Sequence, residues 1–415
     1  MTATERDAVA PPVPAAVECP LDEPTLDDLR RRTSVKWRAY PPDVLPLFVA
    51  EMDTPTAPFV ADAVARALAI GDTGYDLGTT YAEALAPFAE RRWGWTPDVA
   101  SSRTLPDVMV AISEVLRVLT APGDAVVVTP PVYPPFFAFP RNEGRHVLEA
   151  PLTADARLDL VTLADAFQRA TCGGPGGGPG SGRRAVLLLC NPHNPTGTVH
   201  TRAELEAVLA LADRYGVRVV ADEIHAPFTF ERVADGSAAF VPLLSVAGSE
   251  RAVVVHSASK AFNLAGLRAA VALGGPGAAE DLRRIPELAG HAVNHLAVLA
   301  HAAAYTEGDA WLDALLGGVA RNRALATRLL AEHAPAVRVQ AAEATYLAWL
   351  DVRDALPDGV ADAQAHGLVL ERARVALGDG VPFGSGGTGR LRLNLATSPA
   401  ILADGVRRLG AALAG

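Results

Sequence analysis

The chain has 415 residues, enough for two or three domains of ordinary size. Half of them are hydrophobic and 20% are charged, which supplies a sizeable core and excludes a mostly disordered chain. The formal net charge of −10 comes with no basic stripe, so there is no electrostatic footprint for nucleic acid, and no apolar run reaches the ~18 residues of a membrane span.

Three cysteines (Cys19, Cys172, Cys190) are too few and too scattered for a disulfide framework or a zinc site. The N-terminus lacks a basic n-region and an apolar h-region, so the expected compartment is the cytoplasm. Residues 1–22 read as a loose leader rich in Ala, Pro and Val. Residues 23–54 are expected to join a smaller lobe, residues 55–290 to form a large domain, and residues 291–415 to complete the smaller one.

Val108–Leu119 reads as an apolar helix. The runs Ala125–Thr129, Ala185–Cys190, Val217–Ala221 and Ala252–His256 are short and continuously apolar, as expected for strands buried on both faces of a parallel sheet. The glycine-rich stretch Cys172–Gly182 breaks this pattern and is expected to be a surface loop. Thr201 and Glu204 form a capping box, Leu205, Val208, Leu209 and Ala212 mark one face, and Gly216 ends the helix. Strand, helix and strand in succession predict an α/β fold: a large domain with a mostly parallel central sheet flanked by helices. Helical stretches at Ala297–Tyr305 and Trp311–His333, then strand-like pieces at Thr345–Val352 and Leu391–Ala396, predict a smaller α+β domain.

Ligands of open α/β sheets bind beyond the carboxyl ends of the strands. The polar outliers fall there: Asn191–Gly197, then Asp222-Glu-Ile-His225, then Ser257-Ala-Ser-Lys260. A lysine in a crevice can form a Schiff base with an aldehyde, and pyridoxal phosphate (PLP) is the common aldehyde cofactor. It needs a carboxylate at its ring nitrogen, which Asp222 suits, and a donor at its ring oxygen, which Asn194 and His225 suit. Its phosphate needs a helix start and a cation. The amides of Val108 and Met109, the Ser257 hydroxyl and Arg268 meet that need. Tyr133, in a rigid proline-rich turn, is placed to lie flat on the ring.

The stretch Ser257–Ala270 (SASKAFNLAGLRAA), the NPxNPTG run Asn191–Gly197 and Asp222 together resemble the class I/II, fold-type I PLP-dependent aminotransferase family. Lys36-Trp37, the run Leu45–Asp53, Gly74-Tyr75, Pro131–Phe136, the DEIH run and Ala344–Asp351 resemble its cystathionine β-lyase (C–S lyase) branch. The resemblance implies Lys260 as Schiff-base lysine and proton shuttle, with Tyr133 stacked on the ring. It implies Arg392 as the grip on a substrate α-carboxylate. It also implies a homodimer in which Tyr75 reaches the neighbouring subunit's phosphate and substrate. The expected reaction is thiol elimination from cystathionine or another S-substituted L-cysteine, with transamination as the alternative.

Three positions depart from the lyase pattern. Arg390 stands where an apolar residue is usual, and it shares a strand face with Arg392, near the substrate or at a solvated edge. Ala396-Thr-Ser-Pro399 replaces a Cys-Pro. Arg268 is more typical of the aminotransferases.

Overall fold

The computed structural model describes residues 17–172, 183–230 and 240–414. Most of the glycine-rich stretch and leader residues 1–16 lie outside these. Residues 17–22, read as loose, are anchored. Leu21 is fully buried, and Asp22 pairs with Arg321 at 2.6 Å on the helix Asp309–His333.

The strands in chain order are β1 (Leu45–Pro46), β2 (Ser102–Leu105), β3 (Ala125–Val128), β4 (His146–Glu149), β5 (Ala185–Cys190), β6 (Arg218–Asp222) and β7 (Val253–His256). They continue as β8 (Ala270–Gly274), β9 (Arg338–Val339), β10 (Leu347–Asp351), β11 (Val375–Ala376), β12 (Gly378–Asp379) and β13 (Arg390–Asn394). A central sheet of order β2-β8-β7-β6-β5-β3-β4 is parallel from β7 to β4, with β8 and β2 added antiparallel.

Side-chain alternation explains why these strands are apolar throughout. Val126, Val128, Leu188 and Val220 meet Ile112, Val115 and Leu116 of the helix Val108–Leu119 on one face. Val127, Leu187, Leu189 and Val219 meet Leu163, Phe167, Leu205 and Leu209 on the other. Each such side chain contributes about 1.5–3 kcal/mol on burial.

The helix Arg202–Tyr215 has its predicted capping box on Thr201 and Glu204, and Gly216 ends it in the left-handed conformation. Helix His295–Glu307, grouped with the smaller lobe in the sequence reading, packs against Pro58–Ile70 and Thr80–Trp93. The second sheet has order β12-β13-β10-β9, all antiparallel, and helices Asp309–His333 and Pro399–Leu413 pack together beside it. Its register sets Trp349 opposite Arg392 and Asp351 opposite Arg390.

Residues before 55 join the two parts. β1 pairs in parallel with β11. Lys36 and Asp53 form a fully buried ion pair at 2.8 Å, and the Trp37 indole donates to the same carboxylate at 3.1 Å. This clamp ties the start of that segment to its end. Among the described residues, no helix is long and apolar enough to cross a membrane.

Candidate active site

Parallel register sets Cys190 beside Asp222, and Asp222 beside Val255. The turns after these strands therefore open on one cavity of ≈ 430 Å³. Lys260, Asp222, Asn194, His225, Tyr133 and Arg392 all line it.

The turn after β5 holds Asn194 by a close approach of backbone. Gly197 has φ +71°, and a Cβ there would lie 2.5 Å from Ala342 Cβ and 2.7 Å from the Ala344 carbonyl. Its own carbonyl accepts from the amides of Glu343 and Ala344, each at 2.9 Å. Asn194 is buried, and its Oδ1 accepts from Arg392 Nη1 at 3.1 Å. With the oxygen committed, the NH2 is what Asn194 offers the cavity.

Asp222 ends β6. Its Oδ1 accepts from the Ile224 amide at 3.0 Å. Burial nevertheless pushes its pKa up to about 7, against the Ile224 bond and the charge of Lys260. Burial also brings the Lys260 amine down to about 8, assisted by Arg392 and opposed by Asp222. Lys260 Nζ donates to the Ala50 carbonyl at 2.8 Å. His225 is held near 3 by burial and by the charges of Lys260 and Arg392, so its ring is neutral, with Nδ1 buried and unpartnered. Tyr133 packs edge-on to Phe136, and burial raises its phenol pKa.

Arg392 Nη2 donates to the Phe48 carbonyl at 3.1 Å, and its guanidinium lies 5.2 Å from the Phe383 ring. Arg390 is not brought to this cavity. It pairs with Asp351 at 3.2 Å and lines a separate, smaller hollow with Trp349 and Gln340. Strand alternation keeps Arg390 on the Arg392 face, but its cross-strand partner Asp351 captures it. Tyr75 also lies away from the cavity in this chain, 89% exposed, with its ring 6.4 Å from His291.

At the other end of the cavity lie Val108 and Met109, the first residues of their helix. Their amides have no partner within the helix by geometry. Ser257 Oγ donates to the Ala269 carbonyl at 2.7 Å and accepts from the Ser259 amide at 3.2 Å. Arg268 reaches the same end and pairs with Asp107.

Residue type alone signals no role for the run Phe48–Met52. Each of its carbonyls accepts from a side chain. Phe48 receives Arg392, Val49 receives Asn394, and Ala50 receives Lys260 and Tyr346. Glu51 receives Lys36 and Asn394, and Met52 receives Asn263. Backbone acceptors carry no residue-type signature, so only the local likeness of Leu45–Asp53 to the lyase branch hinted at this. Asp107 and Tyr346 also went unassigned. Among the described residues, no cluster of three or more His, Cys, Asp or Glu is placed to hold a metal ion.

The family pattern "Aminotransferase class I and II" matches residues 42–409. The chain belongs to this family. A Mycobacterium leprae protein provisionally named cystathionine beta-lyase is 51% identical, with 95% of this chain and 98% of that protein covered. The Corynebacterium glutamicum protein named cystathionine beta-lyase is 34% identical, covering 94% of this chain and 99% of its own. Among solved structures, cystalysin from Treponema denticola, which contains pyridoxal 5'-phosphate, superposes with a TM-score of 0.84. It covers 96% of this chain and 99% of its own at 22% identity, a likeness of fold. Within the class I and II family, then, the cavity described above lies at the carboxyl edge of the parallel strands, between the two sheets.

Proposed function

We propose that this chain is a PLP-dependent C–S β-lyase that eliminates a thiol from cystathionine or another S-substituted L-cysteine, leaving pyruvate and ammonia. The observation that carries the reading is the convergence of Lys260, Asp222, Asn194 and Arg392 on one cavity. The names of the relatives at 51% and 34% identity support the choice of lyase chemistry.

The donor set fits the cofactor. A buried carboxylate with a pKa near 7 lacks a cation, which a protonated ring nitrogen supplies. Asn194 offers its NH2 and His225 a neutral ring for the ring oxygen. Ser257, Arg268 and the amides of Val108 and Met109 suit the phosphate. Tyr133 supplies a flat face. When bound, PLP provides the electron sink for the α-carbon.

The chain's residues supply the rest. Arg392 grips the α-carboxylate, and Asn194 and the Phe48 carbonyl fix the plane of its fork. Lys260 Nζ takes the α-proton: an amine near 8 is partly neutral at physiological pH and remains a useful base. The Ala50 carbonyl holds that amine in place by one N–H, and Tyr346 donates to the same oxygen at 3.0 Å. The apolar wall at Ile224 and Phe139 limits water around the reacting atoms.

The working unit is a cytoplasmic homodimer. Tyr75 and Leu77 are 89% and 86% exposed in the single chain, which a second copy would cover, bringing Tyr75 to its neighbour's phosphate and substrate. Unpaired thiols at Cys19, Cys172 and Cys190 suit the cytoplasm.

A second reading, transamination between an L-amino acid and a 2-oxo acid, is favoured by Arg268 alone. Purified protein with PLP, offered L-cystathionine and an S-alkyl cysteine without any oxo acid, separates the two. Sustained pyruvate matched by thiol is the expected result. A single half-turnover to the amine form of the cofactor, with no pyruvate, would overturn the lyase.

A further inference from the structure

The phosphate end of the cavity contains an anion. Asp107 caps the helix Val108–Leu119, its Oδ1 accepting from the Val110 amide at 2.9 Å. Its second oxygen pairs with Arg268. One carboxylate therefore draws on three things a phosphate would use: a helix amide, the positive end of the helix, and the guanidinium.

The two partners differ in freedom. The Asp107 side chain is 17% exposed and tied by its cap, whereas that of Arg268 is 65% exposed. An ion pair this exposed holds weakly, so Arg268 is the member that can turn to another anion. Asp107 stays, a fixed negative charge at the mouth of the phosphate site. The arginine that sets this chain apart from the lyase pattern is thus partnered by an acid whose charge it offsets.

We propose that Asp107 is a built-in counter-ion that weakens the hold of this site on the cofactor's phosphate by competing for Arg268. The inference rests on the PLP reading. It makes Arg268 a shared residue, divided between Asp107 and the phosphate. It also makes cofactor retention adjustable at a position other than Lys260 and Asp222.

The test is cofactor binding. Cofactor-free protein is titrated with PLP, and with pyridoxal as the same ring without phosphate, following the visible band of lysine-bound cofactor. D107N keeps a good helix cap, since Asn caps as well as Asp. D107N is expected to tighten PLP by roughly tenfold, the scale of one charge at a partly buried helix start. Pyridoxal affinity should stay within about twofold, because it presents no phosphate charge to Asp107. R268Q is expected to weaken PLP, and to weaken it more in the D107N background, where the arginine is no longer shared. Equal or weaker PLP binding by D107N, with its circular dichroism unchanged, would overturn the proposal, as would an equal gain for pyridoxal. If no protein forms the visible band with either ring, the PLP reading itself fails, and the counter-ion proposal falls with it.

Discussion

Lys260 and Asp222 are displaced toward neutrality by the same cause, burial, acting on opposite charges. Neither finds full compensation in the other. A ligand with a cationic ring nitrogen and an electrophilic carbonyl relieves both at once, which is why the pair reads as a cofactor site and not as a structural ion pair. Replacing Asp222 by Asn keeps the shape and removes the charge proposed to keep the cofactor ring protonated. The expected result is a fall of about 10²–10⁴ in kcat/KM with the visible cofactor band retained. A change under about threefold in steady-state pyruvate release would count against that role for Asp222. Arg392 supplies a planar fork already held by Asn194 and Phe48. Arg392→Lys keeps the charge and loses the fork, so KM for the amino acid should rise roughly 10- to 100-fold, with kcat less affected. An unchanged KM would place the carboxylate elsewhere.

Strands β3, β5, β6 and β7 were legible because both their faces are buried, so their residues are apolar without interruption. The helix Arg202–Tyr215 was legible because its cap, apolar face and stop are all local. The strands β9, β11 and β12 have only two residues each, too few for a period of two to show. The site divides in the same way. Lys260, Asp222 and Asn194 are signalled by residue type at strand ends. The carbonyls of Phe48, Val49 and Ala50 act through partners some 200 to 350 positions away, and Arg390 is drawn off by Asp351 on another strand. Neither fact has a local signature. The turn after β5 shows how tightly an element fixes a residue. Gly197→Ala would strain a positive φ and drive a Cβ into Ala342 and Ala344. We expect a loss of about 2–4 kcal/mol in unfolding free energy, together with weaker cofactor binding through Asn194. A variant of unchanged stability would show that the turn relaxes.

At the scale of the whole molecule, burial depresses four histidines among the described residues, and this shapes its behaviour in acid. His225 and His200 are held near 3, and His193 and His301 near 4, in each case first by burial. His301 is locked between the Tyr81 hydroxyl at 2.7 Å and the Leu267 carbonyl at 2.6 Å, whereas both ring nitrogens of His200 are buried without partners. In the unfolded chain each has an ordinary pKa near 6.5 and takes up a proton that the folded form refuses. Their contribution is therefore complete above about pH 6.5 and is lost as the pH falls toward the folded values. Asp222 acts in the opposite sense. Its folded pKa near 7 exceeds the ordinary 3.8, so the cofactor-free fold gains stability from it as the pH falls through that interval. Four protons favour unfolding and one opposes it. At about 1.4 kcal/mol per pH unit for each, the net loss between pH 6 and 5 is up to about 4 kcal/mol. That is large beside the ~5–15 kcal/mol of a typical fold. Urea midpoints of the cofactor-free protein should fall steeply from pH 7 to 5. His200→Gln, which removes one of the four protons without breaking a hydrogen bond, should make the fall shallower by roughly a quarter to a third. A midpoint that is flat across this interval would mean that these rings gain protons without unfolding, and that the histidine-lined interior admits charge.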